Sequence, residues 1–202
     1  MKYKCAKSLF ASRYLLILLL LLPAILSAHK LSPAAAKRFH IKKILADNNT
    51  WQLAKDIYQD KPWELSNENG VLLLSILDSF PKMNESIQGF YFVVIAKSKD
   101  KSDGFYSEGL GAGGKDYVDN HLRNFLNFFI GKGKLPDTYL EKWVDIVWLE
   151  FAITLEGTSE TSKEIAHDYD SKCQQCNPSQ REVLKKFEDR LKTGIDLYLS
   201  KQ

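Results

Sequence analysis

Hydrophobic positions along this chain recur mostly at helical spacing, three and four residues apart. The plainest case lies near the C-terminus. Val183, Leu184, Phe187, Leu191, Ile195 and Tyr198 form one apolar stripe, with Lys185, Lys186, Asp189, Arg190 and Lys192 opposite. Ser179-Gln180-Arg181-Glu182 has the pattern of a capping box, so this helix is expected to begin at Ser179. Residues 136 to about 155 predict a helix opened by Pro136-Asp137. Leu140, Trp143, Val144, Ile146, Val147, Trp148, Phe151, Ile153 and Leu155 give it an apolar arc wide enough for the centre of a bundle. A shorter helix is expected over about 160–171. Residues 115–130 place Val118, His121, Leu122, Phe125 and Phe129 on one stripe.

The first half reads similarly. A helix over 34–46 carries Phe39, Ile44 and Leu45. A second, capped by Asn49 or Thr50, carries Trp51, Ala54, Ile57 and Tyr58 and stops at Lys61-Pro62, because proline cannot continue the hydrogen-bond ladder. A third spans 66–80 and stops at Pro81. The stretch 85–98 supports two patterns. Gly89 to Ala96 is rich in β-branched and aromatic residues, as in a buried strand. Asn84 as cap with Ile87, Tyr91, Val94 and Ile95 on one face favours a helix. The sequence thus predicts a mainly α fold: one compact domain of six to eight helices, with a short β-hairpin within 89–108 as the alternative.

One segment departs from the bundle pattern. Lys2, Lys4, Lys7 and Arg13 precede the apolar run from Tyr14 to Leu22, and the small residues Ala24, Ser27 and Ala28 follow. Positive, apolar and small, in that order, describe a secretory signal peptide. The run is shorter than the roughly 20 residues a membrane span wants, and Pro23 interrupts it. Residues 1–28 are therefore expected to be a signal peptide, and 29–202 the mature domain, secreted or periplasmic. Membrane contact is expected only through that segment, if it stays uncleaved.

The leader changes the charge picture. It holds four of the chain's 28 basic residues and none of its 25 acids, so the remainder carries 24 against 25, a net charge of −1. A nucleic-acid partner, which wants a surplus of Lys and Arg, is not expected. The triplets Asn48-Asn49-Thr50 and Asn84-Glu85-Ser86 are glycosylation sequons if the secretory pathway is eukaryotic.

Candidate chemistry is sparse. Gly109-Leu110-Gly111-Ala112-Gly113-Gly114-Lys115 satisfies G-x-G-x-x-G and nearly a P-loop. Asp116 stands where a P-loop needs a hydroxyl, and no strand leads into the run, so no nucleotide cofactor is expected. The segment 99–114 reads as a long connection, with Phe105, Tyr106, Gly109, Gly111 and Gly114 as a ligand-shaping loop. Glu108 and His121 are the weak candidates for acid–base chemistry, provided they converge. His121 sits on the apolar stripe, where a structural histidine is the commoner occupant. Cys173 and Cys176 form a C-x-x-C. In an exported protein this points first to a local disulfide, then to a redox dithiol or, with His167, an incomplete zinc site. No metal site is expected. Taken together, these features point to an exported, non-enzymatic module binding a protein or small ligand. The alternative is a small hydrolase or thiol enzyme using Glu108 and His121 or the cysteine pair.

Overall fold

The computed structural model describes residues 31–154 and 162–200, and the leader lies outside them. Leu31–Gln202 forms one compact unit. Among the described residues there are nine α-helices and no strand: α1 Pro33–Arg38, α2 Ile41–Ala46, α3 Gln52–Tyr58, α4 Asn67–Ser79, α5 Glu85–Ser98, α6 Gly104–Asn127, α7 Asp137–Thr154, α8 Ser162–Lys172 and α9 Pro178–Leu199. None is long and apolar enough to cross a membrane.

Local chemistry fixes four of the helix starts. Ser32 caps α1, its hydroxyl accepting from the Ala35 amide at 3.1 Å, with Pro33 at the first helical position. Ser66 caps α4 and Asn84 caps α5 in the same way. Two caps differ from expectation. Trp51, not Asn49 or Thr50, precedes α3 and makes no side-chain cap. At α9 the capping box is Asn177 with Gln180, each side chain bonding the other's amide at 2.9 Å, so Pro178 opens the helix and Ser179 lies inside it. The helix expected over 34–46 is split. His40 takes the left-handed conformation (φ 48°) and separates α1 from α2, while the neighbouring Phe39 is driven onto Gly89 with no exposed surface. This split takes the count past the six to eight expected.

The segment 89–108 is not a hairpin. Residues 85–98 form α5, and Gln88 to Phe90, Phe92 to Ala96 and Ser98 are all buried on it. A helix buried almost all round has lost the alternation that separates it from a strand by sequence. The core forms where α5 and α6 meet α7. Trp143 of α7 is fully buried, stacks on Phe92 at 4.3 Å, and donates its indole N–H to the Phe92 carbonyl at 3.3 Å. Phe80, Tyr117 and Phe125 surround it. The apolar stripe of α9 lies against α7 and α8, as its spacing predicts.

The largest departure is at 104–114. The expected loop is the first half of α6. Gly111 and Gly114 face α7. A Cβ on Gly111 would lie 2.9 Å from Leu149 Cβ and 3.0 Å from the Glu150 amide nitrogen, and one on Gly114 would lie 2.3 Å from Ile146 Cγ2. Gly109 and Gly113 face α4, where Leu74 and Leu77 fill the space a side chain would take. Glycine in a helix costs about 1 kcal/mol against alanine. Here that cost is offset by letting three helices approach closely. Phe105 is exposed and Tyr106 is buried, its hydroxyl 2.5 Å from Ser98 Oγ. The five residues expected to shape a loop are helix positions, most of them spent on packing.

Candidate functional site

The second half of α6 differs from the first. At His121 the backbone leaves helical geometry (φ −132°, ψ 32°) and the helix bends. A sharp bend without proline marks a place where the hydrogen-bond ladder opens. Beside this one lies an open cleft of about 460 Å³, lined by Asp119, Asn120, His121, Leu122, Arg123, Asn124, Asn127 and Lys172. Seven of those eight carry polar or charged side chains.

A charged network forms one wall. Asp119, about four-fifths buried, is held by Lys115 one turn before it at 2.6 Å and by Lys172 of α8 at 3.3 Å. Lys172 also reaches Asp168 at 2.6 Å. Burial lowers the Lys172 pKa, but the Asp168 and Asp119 carboxylates outweigh it, so the ammonium is held above its ordinary value. Behind Asp119 a second cavity of about 190 Å³ is lined by Lys115, Asp119, Glu150, Thr154, Asp168 and Tyr169, among others. The Tyr169 hydroxyl is buried and makes no hydrogen bond of normal length. Burial and then the Asp119 carboxylate raise its pKa, so it stays a neutral donor.

The turn between α8 and α9 contacts Arg123 from outside the cleft lining. Cys173 and Cys176 lie at disulfide distance, their sulfurs 1.94 Å and their Cα atoms 5.0 Å apart. Both are buried, against Phe187 and its neighbours in the core. The clip shapes the turn that carries Gln175, whose Oε1 accepts from Arg123 at 3.4 Å. Gln180 at the start of α9 donates to Asn127 Oδ1 at 3.0 Å. The bent half of α6 is thus tied to the C-terminal pair of helices by polar contacts. Its first half meets α4 and α7 through glycines.

Among the residues singled out in the sequence, His121 reaches this cleft. It is half-buried and stacks on Tyr117 with ring centroids 5.7 Å apart. Glu108 does not join it. The two are roughly 20 Å apart along α6 and Glu108 faces solvent. The cysteines are paired with each other, which leaves His167 exposed with no thiolate beside it. Among the described residues no group of three His, Cys, Asp or Glu side chains is placed to hold a metal ion. Asp119, Arg123, Asn124, Lys172 and Tyr169 had no motif to mark them. The one trace of the first three in the sequence is the density of polar residues between Asp116 and Asn127, on a helix whose other face is an apolar stripe, and nothing in the sequence marks Lys172 or Tyr169. Compared with protein-family models, curated proteins and solved structures, the chain matches none.

Proposed function

We propose that this protein is an exported helical binding module whose cleft at the bend of α6 takes a small anion, a carboxylate or a phosphate. The carrying observation is the bend itself. It breaks a helix that is otherwise packed along its length, and it does so where Arg123, Lys172, His121 and Asn124 border one cleft. Arg123 spends little of its donor capacity within the chain: its contact to Gln175 is long, and its planar fork matches a carboxylate or phosphate. Asp119 is neutralised by two lysines, so it does not dominate the local field. The basic, apolar, small order of residues 1–28 supports export and cleavage.

Titration calorimetry of the mature chain with citrate and with inorganic phosphate tests the binding. One of the two is expected to bind with millimolar or tighter affinity, and Arg123→Ala and Lys172→Ala are each expected to weaken it about tenfold. Absence of heat with both probes, or variants that bind as the parent does, would overturn the reading. N-terminal sequencing of protein recovered outside the cytosol tests export, with a start at Ala28 or His29 expected.

A further inference from the structure

Away from the cleft, the N-terminal end of the domain gathers lysines that the rest of the molecule does not neutralise. Residues 29–46 contain Lys30, Lys37, Arg38, Lys42 and Lys43 and no Asp or Glu. Lys37, His40, Lys42 and Lys43 are exposed along α1 and α2. The fold brings a second basic segment beside them. Arg38 donates to the carbonyls of Ile130 at 3.2 Å and Asn127 at 3.0 Å, strapping the α6–α7 connection to α1. Gly133, in a left-handed turn (φ 79°), lies so close that a Cβ there would be 2.8 Å from the Ala34 carbonyl oxygen. Its exposed neighbours Lys132 and Lys134 flank this contact with α1.

None of these five exposed lysines makes an ion pair among the described residues. Lys97, Lys115, Lys142, Lys172 and Lys186 elsewhere each reach an acid. Of the carboxylates nearby, Glu85 is taken by Arg38, and Asp47 at the end of α2 accepts from the Asn49 amide. A domain with a net charge of −1 thus keeps a cationic patch at one end.

We propose that this face docks on an anionic phospholipid bilayer. Charge complementarity favours a polyanionic surface, and lysines near such a surface contribute additively. Choosing a membrane over nucleic acid rests on the export reading; the patch is independent of the cleft. No large apolar side chain is exposed on the patch, so attachment is electrostatic and reversible.

The test is co-sedimentation of the chain lacking residues 1–30, since Leu31–Gln202 is a compact unit with its own core. The vesicles are of phosphatidylcholine alone or with about 30% phosphatidylglycerol. Binding is expected only to the anionic vesicles, with release as salt shortens the screening length. Reversing Lys37, Lys42, Lys43, Lys132 and Lys134 to Glu is expected to lower it about a hundredfold or more. Reversing Lys61, Lys185 and Lys192, which lie off the patch, is expected to change it little. Seven of these residues are exposed and Lys192 is half-buried, and circular dichroism checks that both variants fold. Equal binding to both vesicle types, equal loss in the two variants, or tighter capture by a single-stranded polynucleotide than by the anionic vesicles would overturn the proposal. Failure of export would show in N-terminal sequencing, not in this assay.

Discussion

The two halves of α6, joined across the bend at His121, differ in what surrounds them. From Gly104 to Val118 the helix is narrow, glycine-rich and pressed against α4 and α7, with Tyr106, Leu110, Gly111, Gly114, Tyr117 and Val118 buried. From Asp119 to Asn127 it is bent and polar on its outer face, with a cleft at its side. The first half resembles a ligand loop in sequence and is a packing surface. The second resembles an ordinary amphipathic helix and borders the polar cleft. Glycine supplies close approach as readily as it supplies a turn, and only tertiary context separates the two uses.

Changes to the glycine half should give the largest effects, all on stability. Gly114→Leu forces a side chain into buried Ile146 and is expected to cost about 3 kcal/mol, read as a lower urea midpoint. Gly111→Ala meets α7 backbone and is expected to cost about 1–2 kcal/mol net of alanine's better helix propensity. Gly109→Ala meets only the end of the Leu74 side chain, which can turn aside, so it is expected to be neutral or slightly stabilising. Equal costs at all three positions would break the packing account.

The disulfide belongs to the other half. Replacing Cys173 and Cys176 with serine is expected to cost about 2 kcal/mol, the loop-entropy value for so short a ring. It should also loosen the Arg123–Gln175 contact and weaken anion binding without altering the response to the glycine variants. Asp119→Asn should cost about 1 kcal/mol, since it removes the charge that Lys115 and Lys172 share at a site about four-fifths buried. Its larger effect should be on the cleft, where Lys115 loses its counter-ion, Lys172 keeps only Asp168, and anion binding tightens. Weakened binding would show that Asp119 contacts the ligand directly.

The smallest effect expected is a pH dependence. Burial, then Asp170 and Asp189, raise Glu188 on α9 to about 7. One of its carboxylate oxygens is buried without a partner. A folded pKa above the unfolded one means the protonated form is favoured in the fold. This stabilisation is complete below the unfolded pKa, near 4.5, and is lost as pH rises to about 7. Glu188→Gln should flatten that slope in thermal melts between pH 4.5 and 7. The change should be about 1 kcal/mol or less, because half the group remains in water. A steeper slope in the variant would contradict the assignment.

Legibility followed burial pattern. The stripe of α9, the arc of α7 and the stops near Pro62 and Pro81 were plain, because each depends on residues close in sequence. The first half of α6 was not, because four glycines within six positions oppose helix propensity. A weaker signal was present: Tyr106, Leu110, Gly114 and Tyr117 recur at helical spacing once glycine counts as a buried position. The cleft was less legible still. Asp119 meets Lys172 across 53 positions of chain, and nothing local marks the bend at His121.

The most direct test maps binding along α6 by amide chemical shifts while inorganic phosphate, or citrate, is titrated into the mature chain. Shifts confined to residues 119–127 and Lys172, with Gly109, Gly111 and Gly114 unmoved, are the expected result. Shifts centred on residues 105–114, with the bent half silent, would contradict the division of this helix into a packing half and a binding half.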